Sequence, residues 1–173
     1  MGCIFLLGFM GSGKSTYGAE AAAMLGLPFL DLDTEIERSA GMGISDIFRE
    51  KGEAAFREME RDTLRALASR GSSVIATGGG TPCFHGNMDF MNASGLTIYL
   101  KADAEVLCGR LKGYCQDRPL LAAADGDGLT GEIRRMLSER EPFYSRATFT
   151  VPSADGISAR SIRDIVNRHR TEL

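Results

Sequence analysis

The chain has 173 residues, 43% of them hydrophobic and 25% charged, with a formal net charge of −3. That length suits one domain able to bury most of its apolar surface, and the balance gives no electrostatic reason to expect a nucleic-acid partner. Four cysteines (3, 83, 108, 115) form no C-x-x-C pair and His85 and His169 lie far apart, so neither a zinc site nor a disulfide framework is supported.

In chain order, the apolar run Cys3-Ile4-Phe5-Leu6-Leu7 reads as a first strand. It lacks a basic flank and stops at Gly8, which is too early for a secretory signal, and no later run approaches membrane-spanning length. A cytoplasmic protein with free cysteines is therefore expected. Gly8-Phe9-Met10-Gly11-Ser12-Gly13-Lys14-Ser15-Thr16 follows, and then a helix-like run from Tyr17 to Leu25. Phe29 to Asp33 reads as a second strand, followed by one or two helical turns over Thr34 to Arg38. Ser45 is a plausible cap for a short helix over Asp46 to Arg49, which Gly52 breaks. A long helix then runs from Glu53 to Ser69, with Phe56, Met59, Leu64 and Leu67 on or near one face.

Ser73 to Thr77 is a third strand running into Gly78-Gly79-Gly80, and Phe84 to Asn92 reads as a helix. Leu96 to Leu100 is a fourth strand, and Ala104 to Leu111 a helix. Residues 113 to 128 show no periodicity, and a long irregular stretch in a compact domain suggests a lid. Thr130 can cap a helix over Glu132 to Tyr144, with a kink or end suggested by Pro142. Thr148 to Val151 is a fifth strand, and Ser158 opens a last helix to about Arg170. Strands alternating with helices imply an α/β three-layer sandwich around a parallel sheet, with ligands bound beyond the carboxyl ends of the strands.

The stretch from Gly8 to Ser15 fits G-x-x-x-x-G-K-[ST] between a strand and a helix, the setting in which that pattern means a phosphate-binding loop. Glycines at 8, 11 and 13 let successive backbone N–H groups curl around an anion, and the helix that follows directs its positive end at the same charge. Gly11, Ser12, Gly13, Lys14, Ser15 and Thr16 are thus candidate ATP contacts, with Lys14 on the terminal phosphates and the Ser15 hydroxyl on Mg²⁺.

Around this loop stand further candidates. Asp31 and Asp33, two apart on an extended segment, share a face. One can meet the Mg²⁺ shell while the other accepts a hydrogen bond from a substrate hydroxyl, or Asp33 simply caps the next helix. Arg57 and Glu60, three apart on a helix, form either a solvated ion pair or a braced clamp for a carboxylate or phosphate. Gly78, Gly79 and Gly80 mark either a tight turn or the close approach of a ligand to backbone. Arg118, in the irregular stretch, is either incidental or a lid arginine that stabilises the transferring phosphoryl group; Arg140 stands near the middle of the following helix.

Taken together these segments resemble the shikimate kinase family. The matching motifs are Gly-Phe-Met-Gly-Ser-Gly-Lys-Ser-Thr (8–16), Phe-Leu-Asp-Leu-Asp-Thr-Glu-Ile-Glu (29–37), Ile-Ser-Asp-Ile-Phe (44–48) and Gly-Glu (52–53). They continue with Phe-Arg-Glu-Met-Glu (56–60), Thr-Gly-Gly-Gly (77–80), Arg-Pro-Leu-Leu (118–121) and Arg-Glu-Pro-Phe-Tyr (140–144). The resemblance implies one kinase domain over residues 1–173, with a substrate-binding helical part at about 33–62, a lid at about 113–128 and a parallel sheet of order 2-3-1-4-5. It also implies transfer of the ATP γ-phosphoryl group to the 3-hydroxyl of shikimate, with Mg²⁺ as cofactor and a monomer without membrane attachment. By position it makes Lys14 and Ser15 the ATP and Mg²⁺ residues, Asp31 the outer metal carboxylate and Asp33 the hydroxyl acceptor and candidate base. Arg57 and Arg140 become the carboxylate clamp, Glu60 the residue orienting Arg57, Gly78 to Gly80 the wall of the acceptor site, and Arg118 the lid arginine. Gluconate would not require two cleft arginines, a nucleotide acceptor should bring a base pocket, and a guanine switch should carry an Asn-Lys-x-Asp segment, which the chain lacks.

Overall fold

A computed structural model of the chain describes residues 2–112, 127–154 and 158–171. Its centre is strand β1 (Cys3–Leu7), apolar at every position and buried throughout. A strand reads this way when both of its faces are covered. Ile4 and Leu6 pack with Tyr17, Ala21 and Ala22 of helix α1 (Lys14–Leu25) and with Ile162 and Val166 of the C-terminal helix. Cys3, Phe5 and Leu7 point the other way, toward Ile36, Ile47, Phe56 and Leu64. A third cluster joins Phe9 to Leu107, Leu111, Ile133 and Met136 beyond the strand's carboxyl end.

The remaining elements are β2 (Phe29–Asp31), α2 (Leu32–Ala40), α3 (Ile44–Ala68), β3 (Val74–Ala76), a 3₁₀ turn (Thr81–Cys83), α4 (Asn87–Ser94) and β4 (Gly95–Lys101). They are followed by α5 (Ala104–Leu111), α6 (Asp127–Tyr144), β5 (Phe149–Pro152) and α7 (Ser158–Thr171). All described strand pairs are parallel, in the order β2-β3-β1-β4-β5. The three-layer sandwich and its strand order agree with the reading of the sequence. The loops after β1, β2 and β3 emerge side by side at one end of the sheet.

Several boundaries differ from expectation, each for a local reason. Helix α1 begins at Lys14 rather than Tyr17, because Gly13 takes a left-handed conformation (φ 83°) and turns the loop directly into the helix. Strand β2 ends at Asp31 rather than Asp33. The Asp31 side chain accepts from the backbone N–H groups of Asp33 and Thr34 and caps α2, so Asp33 lies in a helical turn and does not share an extended face with Asp31. Gly43, not Ser45, precedes α3. Gly52 does break that helix, with φ 81° and ψ 168° inside it. The helix expected over 84–92 starts later, at Asn87 after Gly86, and runs to Ser94, while the 3₁₀ turn containing Pro82 precedes it. Helix α6 begins at Asp127, ahead of Thr130, and passes through Pro142 to Tyr144. Only two residues of the helix follow Pro142, so its end falls where the proline suggested one.

Candidate functional site

The loop after β1 folds as its glycines require. Gly8, Gly11 and Gly13 all have positive φ, and a Cβ on Gly13 would lie 2.3 Å from the Tyr17 ring. Inside the loop the Lys14 ammonium donates to the carbonyls of Gly8 and Phe9, each at 2.9 Å, and the side chain is buried. Ser12 is also buried, with its hydroxyl unpartnered among the described residues and its carbonyl accepting from Ser153 Oγ at 2.8 Å. The Arg110 guanidinium donates to Gly11 O at 3.1 Å and to Ser153 Oγ at 2.7 Å, so the far side of the loop is tied to α5 and to the end of β5. The Ser15 hydroxyl donates to Asp31 Oδ2 at 2.5 Å, while Asp31 Oδ1 caps α2.

That loop forms one side of a cavity of about 690 Å³. Gly11, Gly13, Lys14, Ser15, Thr16, Asp31, Asp33, Arg57, Glu60, Gly78, Gly79, Gly80 and Arg140 all line it, together with Ile44, Ser45, Phe48 and Phe56 from α3. Every sequence-derived candidate among the described residues is therefore gathered here except Ser12, whose side chain lies beneath the loop. Arg118 and the lid at about 113–128 lie outside the described residues, apart from the first residues of α6.

Opposite the loop stands a braced arginine. Arg57 Nη1 donates to Glu60 Oε2 at 2.9 Å, and Nε and Nη2 donate to Glu53 Oε1 at 3.2 and 3.0 Å. Glu60 is fully buried and its other oxygen accepts from Thr81 Oγ1 at 2.5 Å. The Arg57 guanidinium also stacks 4.1 Å from the centroid of the Phe84 ring. Arg57–Glu60 is therefore a buried brace rather than a solvated surface pair. Glu60→Ala leaves Arg57 and Thr81 without their buried acceptor, and we expect it to lower stability by about 3 kcal/mol, read by chemical denaturation.

Arg140 reaches the cavity from α6. It is buried, lies over the Phe9 ring at 5.2 Å, and its Nη1 has no hydrogen-bond partner among the described residues. One turn on, the Tyr144 hydroxyl donates to Gly79 O at 2.5 Å. Burial pushes the Tyr144 phenol up, so it remains a donor to that carbonyl at neutral pH.

The glycine run needs its composition for space. A Cβ on Gly78 would come within 2.9 Å of both Asp33 Oδ1 and Glu60 Oε1. One on Gly79 would lie 3.2 Å from Arg140 Nη1, and one on Gly80 would lie 2.7 Å from both terminal nitrogens of Arg57. The three positions thus back onto the charged groups of the site. Glu53, Thr81, Phe84 and Tyr144 were not assigned a role from sequence. Glu53 and Tyr144 carried a usable signal, each standing four residues from an assigned arginine (Arg57 and Arg140) on its helix face; Thr81 and Phe84 arrive through tertiary contacts that no local pattern announces.

The donor set suits a hard divalent cation. Ser15 Oγ and Asp31 Oδ2 present two adjacent oxygens to the cavity, and Mg²⁺ is usually held by one or two protein oxygens plus substrate phosphates. No cluster of three His, Cys, Asp or Glu that could hold a metal alone occurs among the described residues. None of the described helices is long and apolar enough to cross a membrane.

Comparison with known proteins agrees with this geometry. A family model described as shikimate kinase matches residues 10–170. A shikimate kinase of Parabacteroides distasonis is 44% identical over 164 residues, covering 95% of this chain and 95% of the relative. A solved shikimate kinase from Bacteroides thetaiotaomicron superposes with a TM-score of 0.87 at 39% identity, over 99% of this chain and 98% of that one. One from Acinetobacter baumannii, in complex with shikimate, gives 0.88 at 34% identity, over 99% and 94% of the two chains. A gluconokinase from Sinorhizobium meliloti, at 22% identity and a TM-score of 0.59, shares the fold alone.

Proposed function

The chain belongs to the shikimate kinase family, a family of ATP-dependent kinases, and on that premise we propose how its own residues carry the reaction: transfer of the ATP γ-phosphoryl group to the 3-hydroxyl of shikimate, giving shikimate 3-phosphate and ADP. The observation that carries this reading is the convergence of Lys14, Asp33, Arg57 and Arg140 on one cavity of about 690 Å³. A compact acid bearing several hydroxyls needs a phosphate-facing cation, a hydroxyl acceptor and a cationic clamp for its carboxylate, and all three occur within that volume.

In this reading the amides of Gly11 to Ser15 and the Lys14 ammonium hold the phosphates, with Thr16 at the mouth of the loop. Ser15 and Asp31 hold Mg²⁺, which when bound supplies charge neutralisation on the phosphate oxygens. Arg140 and Arg57 take the substrate carboxylate, which fixes the ring against the wall of Gly78, Gly79 and Gly80. Glu60 keeps the Arg57 plane in place through its second bond from Thr81. Asp33 accepts the hydrogen bond of the 3-hydroxyl and takes its proton as the new P–O bond forms. Phosphoryl transfer is served mainly by positioning and charge, and these residues supply both. We further propose a monomeric cytoplasmic enzyme formed as one kinase domain, with residues 33–62 as its substrate-binding helical part.

The test is coupled ADP release from the purified protein with Mg²⁺ and ATP. Release should depend on shikimate and respond weakly to quinate, gluconate and AMP. Release that ignored shikimate would remove the substrate assignment.

A further inference from the structure

Arg57 makes its closest polar contacts with its own chain. Its Nε and Nη2 edge is taken by Glu53, and Nη1 donates to Glu60. The fork between Nη1 and Nη2 faces Gly80, where a Cβ would lie 2.7 Å from both nitrogens and 3.0 Å from Cζ. A planar carboxylate needs one pair of parallel N–H groups to bind in bidentate fashion. In this conformation the edge that fits is already occupied by a carboxylate of the protein.

The two resident carboxylates are unlike. Glu60 is 1% exposed at its side chain and has a second bond from Thr81, so removing it would strand buried partners. Glu53 is 48% exposed at its side chain and touches Arg57 through Oε1 alone, so it can leave for water at little cost. It also sits immediately after Gly52, where the helix is broken by a positive φ. The segment before that break carries Ile44, Ser45 and Phe48 of the cavity wall.

We propose that Glu53 is a positioning residue that acts as a displaceable stand-in for the substrate carboxylate: it keeps the Nε–Nη2 edge of Arg57 paired until an incoming carboxylate takes its place. The inference rests on the acceptor being a carboxylic acid, as argued above. The exchange is one carboxylate for another on one guanidinium edge, so the net count of charge-assisted bonds on Arg57 is conserved. Substrates without a carboxylate have nothing to trade. Glu53 therefore competes with the acid for one guanidinium edge, whereas a neutral ligand leaves Glu53 in place.

The test compares wild-type enzyme and Glu53→Gln in the ADP-release assay, with shikimate and with its uncharged methyl ester as acceptors. Gln keeps the size of the side chain and removes the competing charge. The KM for shikimate should fall by about two- to fivefold, the equivalent of a weak exposed ion pair, with the gain in KM rather than kcat. The KM for the ester should change less. A KM for shikimate that rises or stays the same in Glu53→Gln overturns the proposal, as does an equal gain for acid and ester. A structural brace would give the first outcome; a long-range field effect would also favour the acid over the ester but would be screened out by salt, so loss of the KM difference between the two enzymes at high salt also overturns the proposal. If the wild-type enzyme itself fails to respond to shikimate, the functional assignment fails, which is distinct from failure of this inference.

Discussion

Arg140→Met is expected to raise the KM for shikimate by about 30- to 1,000-fold, the equivalent of roughly 2–4 kcal/mol for a desolvated charge pair, while leaving the melting temperature unchanged or higher. The two halves of this expectation come from the same observation. Arg140 is buried, and its Nη1 has no hydrogen-bond partner among the described residues. A buried cation with one terminal nitrogen unpaired costs stability, and replacing it with an apolar side chain of similar length relieves that cost. The Phe9 ring beneath it recovers part of the cost in the wild-type protein and can pack on methionine in the variant. Substrate KM and thermal melting measured on one preparation decide the matter. A large loss of stability with unchanged KM would make Arg140 a structural residue and take it off the clamp.

The other large effect is on turnover. Lys14→Met should lower kcat by about a thousandfold or more, by analogy with the loss of a single well-placed group that stabilises developing charge. Lys14 is held by two carbonyls of its own loop, Gly8 and Phe9, each at 2.9 Å. Those bonds place the ammonium before any phosphate arrives, so little reorganisation is needed at the moment of transfer. Methionine keeps the apolar stem, and the glycines at 8, 11 and 13 still supply the positive φ values that the loop requires. Binding of a nucleoside diphosphate, followed by calorimetry, should therefore weaken much less than turnover. Turnover within tenfold of wild type would mean that the main-chain amides carry the charge stabilisation alone.

Much of this was legible in the residues themselves, for definable reasons. The strand Cys3–Leu7 is a continuous apolar run because both of its faces are covered. The loop that follows is a local motif whose spacing encodes its shape. The pairing of Arg57 with Glu60 follows from helical spacing of three, although its burial does not. What stayed hidden was the use of a residue by distant parts of the chain. Asp31 and Asp33 look alike in sequence, yet one caps a helix and bonds Ser15, while the other lies in the first turn of that helix and faces Gly78. Thr81 meets Glu60 across 21 positions, and Tyr144 meets Gly79 across 65. Pro142 announced the end of its helix, which closes two residues later at Tyr144.

The crowding behind Gly78, Gly79 and Gly80 bears on how the enzyme could be redesigned. Each position abuts a different group: the Asp33 and Glu60 carboxylates, the Arg140 guanidinium, then the Arg57 guanidinium. Adding one methyl group at a time along this tripeptide would press on Asp33 and the Glu60 brace, then on the first cation, then on the second, with the outer two positions linked through the Glu60–Arg57 bond. Three adjacent codons thus reach an acceptor pocket whose walls are otherwise scattered across the chain.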